Sequence, residues 1–174
     1  MRILVFSDSH GMYSNLRTVV RKHSDVDVIV FCGDGADDIE EIKLEFRNKM
    51  IIAVRGNCDF CTSNPNVETI TLEGKKLFIT HGHIYNVKYG LYNLSCAARE
   101  AGADIAIFGH THQATEIYDD GLYLFNPGSI MGYEGTYGIV DVNPQGIVTK
   151  IQKFTRSFFL WKNKLFYDTI KNVR

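Results

Sequence analysis

The chain has 174 residues, 45% apolar and 22% charged, with a formal net charge of −1. Those proportions exclude a disordered chain, and the length fits a single domain expected to span 1–174. No apolar run approaches the ~18 residues needed to cross a bilayer, and "MRILVFSDSHG" reads as a first strand rather than a signal peptide, so a cytoplasmic protein without a membrane span is expected.

Three short apolar runs, at 2–6, 27–31 and 50–54, read as β-strands. Between them, 13–24 and 36–49 read as helices; in the first, Leu16, Val19, Val20 and His23 fall on one face at helical spacing. Such alternation implies right-handed crossovers and parallel strands. "VETITLEGKKLFIT" (67–80) reads as a hairpin, with "EGKK" (73–76) joining strands at 67–72 and 77–80. Residues 86–102 read as a helix burying Val87, Leu91, Leu94 and Ala98, and 104–108 as another strand. Runs at 115–126, 137–142 and 147–154 continue as mostly antiparallel strands joined by Asp-Gly or Pro/Gly turns. The expected fold class is α/β, with two mixed sheets packed as a sandwich and helices outside.

Of the four cysteines, Cys32 and Cys96 are expected in the core. Cys58 and Cys61 form one C-x-x-C, weak support for structural zinc without two further ligands nearby, and the flanks do not look thioredoxin-like.

The chemistry sits just past the strand ends. Asp8 and His10 follow the first strand, Asp34 the second, and Asn57 and Asp59 the third. His81 and His83 follow "LFIT", and His110 and His112 follow "DIAIF". Of six histidines only His23 lies outside these loops, which scattered structural histidines would not do. Carboxylate and imidazole donors without thiolate suit Mn2+, Fe or Zn2+. Their number exceeds what one tetrahedral ion takes; two ions ~3.5–4 Å apart that share a bridging carboxylate would use them all. Neighbouring glycines allow the tight turns such loops need.

D-x-H, GD, GN-x-D, H-G-H and GHTH, in this order over residues 1 to about 150, resemble the calcineurin-like metallophosphoesterase superfamily. "GNCD", "THGH" and "NPGS" resemble its small phosphodiesterase branch, which also contains the retromer subunit that has lost or weakened catalysis. The resemblance implies an αββα sandwich. It implies one metal held by Asp8, His10, Asp34 and His112, and a second held by Asp34, Asn57, His81 and His110, with Asp34 as the bridge. It further implies hydrolysis of a small phosphodiester by a metal-bridging hydroxide, with two divalent ions as cofactor: Mn2+ first, with Fe, Zn2+ or Ni2+ as alternatives. The Asn57 amide can both ligate metal and offer its N–H2 to a substrate oxygen. A phosphomonoesterase, or an interaction scaffold on the same fold, is the alternative reading; intact metal positions weigh against a pure scaffold.

One position departs from the wider superfamily, where histidine often follows the GN and assists catalysis. Here it is Cys58, expected beside the substrate, and His83 is the candidate general acid in its place, or else a residue that orients a ligand. Asp59 is expected in a structural hydrogen bond or ion pair, and "NPGS" (126–129) could present backbone N–H groups to phosphate.

Charge is unevenly spread. Residues 150–174 hold seven basic groups and one acidic (+6), residues 1–149 twelve and nineteen (−7). With no evident basic groove in the acidic body, nucleic acid is not expected as a partner. Phe154, Phe158, Trp161 and Leu165 are spaced for one aromatic helix face in a tail at about 154–174. That face would pack on the body, form a homo-oligomer or partner contact, or lie on a membrane surface.

Overall fold

A computed structural model describes residues 1–155. Among these residues ten strands and three α-helices run in the order β1 (Arg2–Phe6), α1 (Tyr13–Lys22), β2 (Val28–Phe31), α2 (Ala36–Glu45), β3 (Met50–Ala53), β4 (Val67–Leu72), β5 (Lys75–Thr80), α3 (Tyr92–Glu100), β6 (Ile105–Ile107), β7 (Thr115–Asp119), β8 (Leu122–Asn126), β9 (Glu134–Asn143) and β10 (Gly146–Thr155). They form two mixed five-stranded sheets, ordered β10-β9-β1-β2-β3 and β4-β5-β6-β8-β7.

Strand alternation builds the layers. Ile3, Val5, Val28 and Val30 point inward to meet Leu77, Ile79, Ile105 and Phe125 of the facing sheet. Leu4, Phe6, Ile29 and Phe31 point outward, where Leu16 and Val19 of α1 and Ile39 and Ile42 of α2 cover them. On the other flank, Phe78, Ala106 and Phe108 receive Leu94 and Ala98 of α3. The αββα sandwich is therefore present. β1, β2 and β3 are parallel, and so are β5, β6 and β8, so their carboxyl ends gather in two groups. The expected antiparallel continuation holds for β7–β8 and β9–β10, while β8 itself runs parallel to β6.

Several elements differ from the expectations. The hairpin turn is only Glu73-Gly74, both at positive φ as a type I′ turn requires, so Lys75 and Lys76 belong to β5. α3 begins at Tyr92, not at 86: Asn86 (φ 55°) and Gly90 (φ 146°) break the helix, and Val87 is buried from a turn that follows a short 3-10 segment, His83–Tyr85. Cys96 is exposed on α3, whereas Cys32 is buried. His23 caps α1, its Nε2 3.0 Å from the Tyr137 hydroxyl. Phe154 lies within β10, one residue before its end, and is buried in the core shared with α1 and α2, so it is not on a helix face. The rest of the expected tail helix, 156–174, lies outside the described residues.

Candidate metal centre

Loops from both sheets meet at one end of the sandwich. Those after β1, β2 and β3 bring Asp8, His10, Asp34 and Asn57; those after β5 and β6 bring His81, His110 and His112. Among the described residues three groups result, each with ligand atoms within 4.8 Å of one another: Asp8, His10 and His112; Asp34, His81 and His110; and His10, Asp34 and Cys58. In the first, His112 Nε2 is 3.1 Å from Asp8 Oδ1 and 3.4 Å from His10 Nε2. In the second, His81 Nε2 is 3.1 Å from His110 Nδ1 and 3.1 Å from Asn57 Oδ1. Asp34 Oδ2 joins them, 3.9 Å from His10 Nε2 and 3.4 Å from His81 Nε2. All seven residues expected as metal ligands thus converge.

The surroundings fix which atoms face inward. His81 donates its Nδ1–H to the Cys32 carbonyl at 2.7 Å, so Nε2 is left to the cluster. Asp8 Oδ2 accepts from Ser7 Oγ (2.5 Å) and the His110 N–H (3.1 Å). Asp8 Oδ1 is fully buried and accepts no hydrogen bond among the described residues. Asp34 Oδ1 accepts the Cys58 N–H at 2.8 Å, leaving Oδ2 free to bridge. The loops are clamped behind: the Asp59 carboxylate accepts the N–H groups of Asp34, Gly35, Ala36 and Gly56 at 2.7–2.9 Å. This is the structural role expected of Asp59. Glycine is required where backbones touch: a Cβ on Gly109 would lie 1.9 Å from Ser7 Oγ, and one on Gly56 2.0 Å from Asp34 Oδ1.

"NPGS" braces the site from behind. Asn126 donates to the Gly109 carbonyl (2.9 Å) and its Oδ1 accepts the Gly128 N–H (2.8 Å); Ser129 Oγ donates to the Asp8 carbonyl (2.8 Å). The Gly128 N–H is therefore already committed and does not await a phosphate.

Electrostatically the cluster is crowded with lone pairs. Burial alone pushes the Asp34 pKa up, but hydrogen bonds from His81 and the Cys58 N–H outweigh it and hold Asp34 well below the usual carboxylate range. Burial likewise opposes a charged His81, yet Asp34 and Asp8 raise its pKa. Burial, reinforced by the charge of His81, takes His110 down to about 4. Imidazole nitrogens 3.1 and 3.4 Å apart, beside a buried orphan carboxylate oxygen, need a proton or a cation between them. The donor set fits divalent ions of the borderline or hard kind.

Cys58, expected beside the substrate, and His83, the candidate general acid, lie at the rim. Cys58 is exposed, with Sγ within 4.8 Å of ligand atoms of His10 and Asp34 and 3.2 Å from Asn57 Nδ2. Burial, then Asp34, raises its thiol pKa. His83 packs its ring 5.4 Å from that of His81 and 6.2 Å from that of His110, outside all three groups. Burial, then His81, lowers its pKa. Beside His10, Asp34 and Cys58 opens a cleft of about 350 Å³ that extends to Phe60 and Cys61. Cys58 and Cys61 are both free thiols.

Residues 1–145 match the calcineurin-like phosphoesterase superfamily domain. The chain belongs to that superfamily. It is 37% identical over 131 residues to the probable metallophosphoesterase YsnB of Bacillus subtilis, covering 75% of each chain. To phosphodiesterase MJ0936 of Methanocaldococcus jannaschii it is 31% identical, over 81% of this chain and 93% of that protein. The crystal structure of a conserved protein from Streptococcus pneumoniae, described as a predicted phosphoesterase, superposes with a TM-score of 0.73 at 27% identity, covering 89% of each chain. The chain is thus a metallophosphoesterase homologue with a candidate metal site. Among the described residues, no helix is long and apolar enough to cross a membrane.

Sequence reasoning missed the supports: Ser7, the Cys32 carbonyl, Asn126, and Asp38, which accepts Ser9 Oγ (2.6 Å) and the Gly11 N–H (2.9 Å). Asn126, like Ser129, stood in the "NPGS" motif, though for a different expected role.

Proposed function

We propose that the chain is a phosphodiesterase using two divalent ions, Mn2+ first, held by Asp8, His10, Asp34 and His112 and by Asp34, Asn57, His81 and His110. The observation that carries this reading is Asp34 Oδ2, which lies between two imidazole-rich groups that each want a cation. Two divalent ions bound there would lower the pKa of water and neutralise charge on phosphoryl oxygens. The remaining work falls to the chain. Asn57 Nδ2, at the rim, donates to a phosphoryl oxygen. His83, kept neutral at physiological pH by burial, offers one ring N–H to the phosphoryl or leaving oxygen rather than a labile proton. The Cys58 thiol, with its raised pKa, is a poor proton donor as well. The leaving group therefore departs largely as its anion.

The diester preference is supported by the cleft, whose lining holds no lysine or arginine to meet the second charge of a monoester. Every residue proposed as a ligand falls within the described residues 1–155. Free cysteines throughout support a reducing, cytoplasmic setting.

The test is elemental analysis of the purified protein, then turnover of bis(p-nitrophenyl) phosphate and p-nitrophenyl phosphate after Mn2+ loading. We expect two ions per chain and at least a tenfold preference for the diester. Faster monoester turnover would make the chain a phosphomonoesterase, and two bound ions without turnover of either would favour the scaffold reading.

A further inference from the structure

Phe60 stands out in the cleft beside the metal centre. It is the one large apolar side chain in the lining and is 82% exposed. Single exposed apolar residues are common on protein surfaces. The backbone that presents Phe60, however, is anchored. The preceding Asp59 is bonded to four backbone N–H groups, and its carbonyl accepts Arg55 Nη2 at 3.1 Å. An aromatic ring carried on that anchored backbone, at the rim of a cleft that reaches His10 and Asp34, offers a stacking surface for whatever is esterified to a phosphoryl group at the metals.

The charges of the cleft narrow what that group is. Apart from His10, its charged residues are all acidic, and three are committed: Asp34 to the ligand cluster, Asp38 to Ser9 and Gly11, and Asp59 to the loop N–H groups. Asp37, in the first turn of α2, is exposed. An ester arm with its own phosphate or carboxylate would meet repulsion here and find no basic side chain in the lining.

We propose that this cleft receives one ester arm of the substrate, that the arm is a flat aromatic group without negative charge, and that Phe60 stacks on it while Asp37 turns anionic arms away. The proposal deepens the phosphodiesterase reading and rests on it.

Binding is read by isothermal titration calorimetry on the Mn2+-loaded full chain, using phosphinates whose two P–C bonds cannot be hydrolysed. Diphenylphosphinate is expected to bind about tenfold tighter than dimethylphosphinate, and Phe60→Ala to remove most of that difference. Bis(4-carboxyphenyl)phosphinate is expected to bind more weakly than the diphenyl compound, with Asp37→Asn narrowing the gap about threefold. In turnover of bis(p-nitrophenyl) phosphate, the Phe60→Ala loss should fall on KM rather than kcat. Equal binding of diphenylphosphinate by native protein and Phe60→Ala, or no binding of it by either, overturns the proposal. Phe60-dependent binding without turnover of any ester supports the arm pocket while refuting the phosphodiesterase reading. Turnover with no Phe60 dependence does the reverse.

Discussion

Replacing Asp59 by asparagine changes one oxygen to an amide nitrogen, and the structure makes that change costly. Oδ2 accepts the Asp34 and Gly56 N–H groups at 2.8 and 2.7 Å, and Oδ1 accepts those of Gly35 and Ala36 at 2.9 Å each. Whichever way the asparagine amide is turned, two of these four donors lose their acceptor and face another donor. A hydrogen bond to a charged partner is worth about 1.5–3 kcal/mol, so two lost bonds, softened by local relaxation, amount to roughly 3 kcal/mol. For a domain of this size each kcal/mol moves the melting temperature by about 2–4 °C, which predicts a fall of roughly 6–12 °C. The measurement is calorimetric unfolding in chelator, so that metal binding does not add to the difference. Because the same carboxylate pins Asp34, Mn2+ affinity should fall at least tenfold in a parallel titration. A melting temperature within 2 °C of the native value would show that the Asp59 clamp does not hold the loop.

Asp34→Asn should reduce bound metal from two ions to none, whereas His112→Ala should lose mainly the ion of Asp8 and His10; two ions retained by Asp34→Asn in mass spectrometry would end the bridging assignment. Glu45 accepts from Tyr13, Arg17 and Arg21, which bring its pKa down to about 2 from an ordinary 4.5. Its folded pKa is depressed, so its contribution is present above pH 4.5 and lost as pH falls toward 2. Glu45→Gln should be less stable than native at neutral pH, with the gap closing across that window; a constant gap in denaturant titrations would refute the linkage. Across aryl diesters of rising leaving-group pKa, the native rate should fall steeply and Cys58→His should flatten the slope. His83→Ala should lower all rates alike, because a neutral His83 orients rather than protonates; a steeper slope in that variant would make it the acid.

The ligands were legible because each follows an apolar β-rich run by a few residues and stands near a glycine, a pattern written locally in the chain. Element boundaries were less so. Val87 and Leu91 keep helical spacing with Leu94, yet Asn86 and Gly90 adopt positive φ and the helix waits until Tyr92. Cys96 looked like core by its apolar neighbours, but it lies two residues from buried Leu94 and Ala98 and so turns outward. The supports were invisible for another reason. The Cys32 carbonyl meets His81 across 49 residues, and Ser129 meets the Asp8 carbonyl across 121, and neither contact leaves a local signature.

The backbone says why these supports exist. Asp8, His10, Asp34, His110 and His112 all adopt positive φ, between 45° and 68°, a region that costs a non-glycine residue about 1–3 kcal/mol. Five such residues in one cluster would relax if the loops were free. They are not free, because Asp59 holds the Asp34 loop, Ser7 and the His110 N–H hold Asp8, and Asn126 ties down the Gly109 carbonyl ahead of His110. Held this way, Asp8 Oδ1 is buried and accepts no hydrogen bond among the described residues, and imidazole nitrogens crowd together, which no demand of folding requires. Packing alone would select against every one of these features. What they have in common is that a cation at the centre would turn each from a cost into a contact. The second layer is therefore as much a part of the proposed site as the ligands, since without it the ligand loops would fall back to ordinary turns.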